Sequence, residues 1–218
     1  MKSIGVLAYW FGLLPSVQLE WADWYIRDHM PSRLGATFTG ARCFRAVSGE
    51  PEFMALYETW TPEALTSNDY LALLRNASEG DKRRRSWYQN TTRACCRKLA
   101  DVGNGQGGIV ASIRFSSVPE AMASEVATGI VTELARIERV GRVAWLEADP
   151  MIRARMDEAR VTGHDDDAAD QILLVECSAE SDAHNAVAKL TSMPTWPRLV
   201  DPASVSIANY RLLYSIAK

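Results

Sequence analysis

Residues 3–11, SIGVLAYWF, alternate with period two yet are apolar on both faces: Ile4, Val6, Ala8 and Trp10 on one, Leu7, Tyr9 and Phe11 on the other. Such a strand must be covered on both sides. Beyond the Gly12–Pro15 connection, with Ser16 as a candidate N-cap, the period becomes helical. Val17, Trp21, Trp24 and Asp28 fall on one stripe, flanked by Tyr25 and His29. Pro31 disfavours helical backbone at Met30, which predicts a helix end near His29. ATFTGARCFRAV (36–47) and EFMALYETW (52–60) then read as two strands joined by the turn residues GEP. Thr61-Pro62-Glu63 opens a second helix, where proline costs little in the first turn. That helix, or a pair of short ones, runs through EALTSNDYLALLRNA, and TTRACCRKLA (91–100) is the fourth strand.

DVGNGQGG (101–108) is glycine-rich and polar, and no helix follows it directly, so it reads as a turn or linker and not as a phosphate cradle. After it the same order returns. IVASIRF is a strand, PEAMASEVATGIVTELARIERV a helix, GRVAWLEAD and QILLVECSA strands, SDAHNAVAKLTSM a helix and VSIANYRLLYSI a strand. ARVTGHDDDAADQ (159–171), between the two middle strands, reads as a polar, acidic and mobile hairpin excursion. Two copies of βαββαβ with almost no shared sequence predict an α+β fold of two tandem ferredoxin-like units. Their boundaries fall at 1–100 and 108–218, with 101–107 as linker. Each open sheet face needs cover, and the two sheets are expected to meet face to face.

The composition, 47% hydrophobic and 23% charged over 218 residues, is that of a globular protein with a real core. A net charge of −3 without a basic stripe lacks the footprint of a nucleic-acid binder. Lys82-Arg83-Arg84-Arg85 follows Glu79 and Asp81 and reads as a solvated helix face or loop, with an anion or partner contact as the alternative. Cys43, Cys95, Cys96 and Cys177 show no zinc-type spacing, and the adjacent pair would point to opposite faces of a strand. Reduced thiols and a cytoplasmic location are therefore expected. The apolar start lacks a small-residue cleavage site and alternates as a strand would. No stretch reaches 18 uninterrupted apolar residues, so no membrane span is expected.

The densest chemistry lies in EWADWYIRDHMPSRLG (20–35). W-x-x-W-Y-x-x-D-H-M-P-x-R-L at 21–34, GAR at 40–42, YETW-x-x-EAL at 57–65 and S-x-x-Y at 67–70 resemble the dimeric α/β-barrel superfamily. Within it, the first half resembles small EthD-like bacterial proteins (ethyl-tert-butyl-ether-degradation type). The resemblance covers about half the chain. It implies an α/β barrel formed within one chain as a fused pseudo-dimer, and a pocket between sheet and helices. It also implies cofactor-free isomerase, cyclase, decarboxylase or monooxygenase chemistry, or haem, with a histidine or tyrosine handling protons. The second half has EVATGIVTELARIERVG where the first has its Trp/Asp/His helix, so one decorated and one largely structural half are expected.

Trp21, Trp24 and Tyr25 are explained as core packing alone, because each supplies a large apolar area. Asp28 and His29 are harder to place in a core, since a buried charge needs a partner, and Arg27, Arg33 and Arg42 are the near ones in sequence. Imidazole moves protons in either direction near neutral pH. Carbonyls at a helix end would favour its cationic form. His29, Tyr25 and Arg33 are accordingly the catalytic candidates, and Trp10, Trp24, Asp28, Arg42 and Tyr57 the substrate-binding ones. Trp10, Trp24 and Tyr57 would wall a flat substrate, and Arg33 or Arg42 would hold a carboxylate or enolate oxygen. Neighbours 100° apart on a helix do not form an Asp–His dyad. His164, in GHDDDAAD, lacks fixed ligand spacing for a metal, and His184 falls on a polar helix face. A haem-ligand role stays open for His29 or His184, while no cofactor and no metal are expected. The resulting expectation is a cofactor-independent lyase, isomerase or cyclase acting on an enolisable or aromatic acid. The alternative is a non-catalytic ligand-binding or oligomerisation protein. A small-molecule substrate and a homodimer are the partners foreseen.

Overall fold

The computed structural model describes residues 4–117, 124–162 and 166–218. Eight antiparallel strands close into one barrel in the order β1-β3-β2-β8-β5-β7-β6-β4. They are β1 (Gly5–Leu13), β2 (Gly40–Ser48), β3 (Phe53–Thr59), β4 (Tyr88–Gly103), β5 (Ile109–Phe115), β6 (Val140–Ala148), β7 (Gln171–Cys177) and β8 (Ser206–Ala217). Within each half the spatial order is fourth-first-third-second. The halves join edge to edge at two seams, β2 against β8 and β4 against β6. This corrects the expectation of two sheets merely stacked face to face. An open four-stranded sheet leaves two edges of unpaired N–H and C=O groups, and closure pairs all of them.

Closure also separates the two apolar faces of β1 as its alternation requires. Val6, Ala8 and Trp10 fill the barrel interior with Phe44, Met54, Ile172 and Tyr210. Leu7, Tyr9 and Phe11 face outward under the helices of the first half. Cys95 lies on the outer side and Cys96 on the inner, and all four thiols are buried and free. Outside the first half lie α1 (Gln18–Trp24), α2 (Met30–Ala36), α3 (Asn68–Arg75) and α4 (Glu79–Arg85). The Ser78–Asp81 capping box starts α4. Outside the second half, α5 (Ser124–Leu134), α7 (Glu180–Ser192) and the short α8 (Trp196–Leu199) pack on Ile109, Ala111, Ile113 and Phe115. The expected beginning of α5, residues 118–123, lies outside the described residues.

One helix was not expected. α6 (Pro150–Ala159) follows β6, with Asp149 accepting from the N–H groups of Met151 and Ile152 and Pro150 in the first turn. Its Ile152, Met156 and Ala159 belong to the apolar cluster of the first half, so an element of the second half roofs the first. The acidic excursion after α6 is correspondingly tied down rather than mobile where it is described: Asp166 is buried. Residues 163–165, with His164, lie outside the described residues.

At one end of the barrel Arg42 points inward and makes two hydrogen bonds to Glu176 of β7, at 2.8 and 3.0 Å. Gly107 N–H donates to the same carboxylate at 2.8 Å. A Cβ at Gly107 would lie 2.5 Å from the backbone N and O of Cys177, so only glycine lets this connection approach. β4 itself runs through Gly103, so the first residues of the expected linker are strand. Removing one partner of a buried ion pair strands the other's charge. Glu176→Ala is therefore expected to lower stability by about 3–5 kcal/mol in urea unfolding. The double variant Arg42→Met/Glu176→Leu should recover most of that loss.

Candidate active site

The helix expected to stop near His29 continues. Between α1 and α2 the backbone makes a π-helical turn, Tyr25–His29. The wider turn carries the chain past Pro31, which has no N–H to give, without ending the helix. His29 is therefore mid-helix, and no terminal carbonyls favour its cationic form. The turn swings Tyr25 and His29 toward the outer face of β1 and β3, where a cavity of about 730 Å³ opens between sheet and helices. Leu7, Tyr9 and Tyr57 form its floor, Trp24, Tyr25, His29 and Arg33 one wall, and Tyr70, Arg84 and Arg85 the other.

His29 is stacked on Tyr25, ring centres 4.9 Å apart and 18° from parallel, with Trp24 at 4.8 Å. No side-chain hydrogen bond reaches the imidazole among the described residues. Desolvation, reinforced by the positive charges of Arg33 and Arg85, pushes its pKa well below the ordinary 6.5, so the ring is neutral. Tyr25 and Tyr57 share a 2.5 Å hydrogen bond between their hydroxyls. Burial raises both phenols well above their ordinary value, so both remain protonated. One phenol donates to the other, and the acceptor's own O–H stays available. Arg33, half-buried on α2, makes no ion pair and no side-chain hydrogen bond among the described residues.

Six predicted residues thus line one cavity: Trp24, Tyr25, Asp28, His29, Arg33 and Tyr57. Asp28 is exposed at its mouth and needs no buried partner. Two predicted residues are elsewhere. Trp10 is wholly buried inside the barrel, its Nε1–H donating to Ser112 at 3.2 Å. Arg42 is held by Glu176. Both have even-numbered places on strands whose outward residues are odd, so pleating turns them away from the site. His184 stands exposed on α7 and does not line this cavity. No cluster of metal-ligating side chains occurs among the described residues.

Sequence reading missed the arginine side of the cavity. Asp166, from the second half, lies within 2.6 Å of Arg160, 3.2 Å of Arg85 and 3.1 Å of Arg93 Nε. Arg93 also pairs with Asp157. Burial opposes the charge of Asp166, but Arg85, Arg160 and Arg93 outweigh it and hold the carboxyl below its ordinary 3.8. The signal available was the basic run ending at Arg85 and the acidic residues that include Asp166, with nothing local in the sequence to join them.

The absence of a carboxylate at 166 would leave three guanidiniums crowded at the cavity. Asp166→Ala is expected to destabilise by about 3–5 kcal/mol at pH 7. The difference from wild type should shrink as pH falls through the depressed carboxyl pKa, since the native ion is then lost as well. For His29 the sign is the same, because its pKa is also depressed in the folded protein. Its neutral form is the native one, so its contribution is complete above pH 6.5 and declines as pH falls below that value. Imidazole NMR shifts at pH 6.5 should report an unprotonated ring.

No family model matches the chain, and no curated protein sequence matches it. Solved structures do. An anthrone oxidase-like protein superposes with a TM-score of 0.64 at 12% identity, covering 100% of this chain and 94% of that one. A candidate monooxygenase from Fusobacterium nucleatum subsp. nucleatum gives 0.62 at 10%, covering 100% and 95%. Chlorite dismutase from Candidatus Nitrospira defluvii, in complex with imidazole, gives 0.55 at 13%, covering 96% and 92%. These neighbours belong to the dimeric α/β-barrel superfamily, and at such identities the likeness is one of fold: the chain is a closed, eight-stranded α+β barrel of their kind.

Proposed function

We propose that this protein is a small-molecule enzyme in which His29 transfers a proton on an enolisable or aromatic acid, without a cofactor, as a lyase, isomerase or cyclase does. The observation that carries this reading is a neutral imidazole beside a pair of protonated phenols and an unpaired guanidinium, all lining one cavity. The neutral ring takes a proton from an acidic C–H. The electron pair moves onto the adjacent carbonyl oxygen, where the free O–H of the Tyr25–Tyr57 pair and Arg33 stabilise the charge. The resulting imidazolium returns the proton to the same or another atom. Trp24 walls the flat part of the ligand, and Asp28 sits at the entrance. A purely structural role is weakened by the cavity itself, because packing by this helix would fill it; a non-catalytic ligand-binding protein would keep the cavity, and proton exchange separates that alternative from the enzyme. The likeness to an anthrone oxidase-like protein and a candidate monooxygenase supports a second version, in which the deprotonated substrate goes on to react with oxygen.

The repeated strand order supports reading the chain as two tandem ferredoxin-like units, a pseudo-dimer with one working half. The packed outer face of the second half, where the first has its cavity, fits that division. A homodimer is part of the same proposal.

The test is solvent-deuterium incorporation into a panel of enolisable aryl keto acids, followed by NMR, with an oxygen electrode alongside. His29→Asn is expected to slow exchange by about 100- to 10,000-fold. Its stability should stay within about 1 kcal/mol of wild type, because a cavity-facing ring contributes little packing. Wild-type activity should hold its plateau down through pH 6.5 and decline only below, where the imidazole protonates. Undiminished exchange in the variant would remove His29 from the mechanism.

A further inference from the structure

One guanidinium at the cavity is not explained by the proton transfer. Arg84, in the last turn of α4, has its guanidinium carbon 4.9 Å from the Trp24 ring centre and 5.8 Å from that of Trp87. Gly80, one turn earlier, leaves room for it, since a Cβ there would fall 3.0 Å from Arg84 Nη1. Two tryptophans and a glycine thus fix the place of a flat cation. Yet its one ion-pair partner among the described residues, the exposed Glu20, stands 3.9 Å away, beyond hydrogen-bond range. Its Nε–H is buried without an acceptor. Native proteins seldom leave such a donor unsatisfied, and the cost of doing so asks for a reason.

The charge around the cavity points the same way. Five arginines line it, Arg33, Arg84, Arg85, Arg93 and Arg160, against only Asp28 and Asp81. Asp166 serves Arg85, Arg93 and Arg160. Arg33 and Arg84 remain, one beside His29 and the other between tryptophans. We propose that the cavity takes a flat, conjugated substrate carrying a carboxylate remote from its reacting carbon, with Arg84 holding that carboxylate. Arg33 is then left for the oxygen that gains charge at His29. The choice of reacting end rests on the reading of His29 given above; the binding role of Arg84 does not.

Isothermal titration with 2-naphthoate and the uncharged 2-naphthamide tests this without knowledge of the substrate. Wild type should bind the naphthoate at least about tenfold tighter, the scale of one charge-assisted hydrogen bond. Arg84→Met, which keeps an apolar stem between the rings, should abolish that preference while leaving naphthamide affinity within about threefold, and Arg84→Lys should restore part of it. Arg33→Met should keep most of the preference. Equal binding of the two probes to wild type overturns the proposal whether or not any variant folds. An equal loss in Arg33→Met and Arg84→Met overturns the assignment to Arg84. Arg84-dependent naphthoate binding, in a protein whose His29→Asn variant still exchanges substrate protons, would uphold this proposal and remove the reading of the base. Equal probe binding with His29-dependent exchange would do the reverse.

Discussion

Closure of the sheet is the constraint from which the rest of the structure follows. Each half supplies four strands and two raw edges, and only the β2–β8 and β4–β6 seams satisfy the backbone groups on those edges. Once closed, the sheet has an inside too narrow for anything but side chains. Trp10, Phe44, Met54 and Tyr210 fill it. Ligand space can then exist only on the outside, where helices lie over the sheet without having to pack it completely. The second half uses that outer layer for core. In the first half the layer stands off far enough to leave the cavity.

The distribution of charge follows from the same division. Polar groups inside the barrel are locked in pairs: Arg42 with Glu176, Trp10 with Ser112. Outside, positive charge exceeds negative around the cavity, and the surplus keeps His29 neutral by the sign of its field as well as by desolvation. A neutral imidazole beside the guanidiniums of Arg33 and Arg84 is what the proposed anionic substrate, which must lose a proton, would require. The buried Asp166 limits the surplus. Without it, Arg85, Arg93 and Arg160 would repel one another at a largely buried site.

The π-helical turn at Tyr25–His29 joins fold to chemistry. A regular helix through these residues would meet Pro31 with a clash and a missing hydrogen bond. The wider turn removes the conflict, and Tyr25 and His29, four residues apart and so on one face, stack and both reach Tyr57 on β3. The segment thus passes Pro31 as a continuous helix, and its aromatic and titratable groups meet around one space.

Periodicity was enough to read the eight strands, the repeat of their order and the two-sided burial of β1, because alternation is a local property of the chain. It was enough also to single out residues 20–35, whose Trp24, Tyr25, Asp28, His29 and Arg33 do line the cavity with Tyr57. α6 was not read, although Asp149-Pro150 and the spacing of Ile152, Met156 and Ala159 carried a local signal for it. What the sequence left open was decided by contacts between residues far apart in it. Pleating and closure sent Trp10 and Arg42 inward, and no local pattern distinguishes the inner from the outer face of a strand apolar on both. The seams joined halves that stacking would have kept apart. The basic run at 82–85 divided between solvent and cavity only when Asp166, 81 residues beyond Arg85, came to lie against it. Charge pairing across such distances depends on where the chain returns, and that is settled by the barrel.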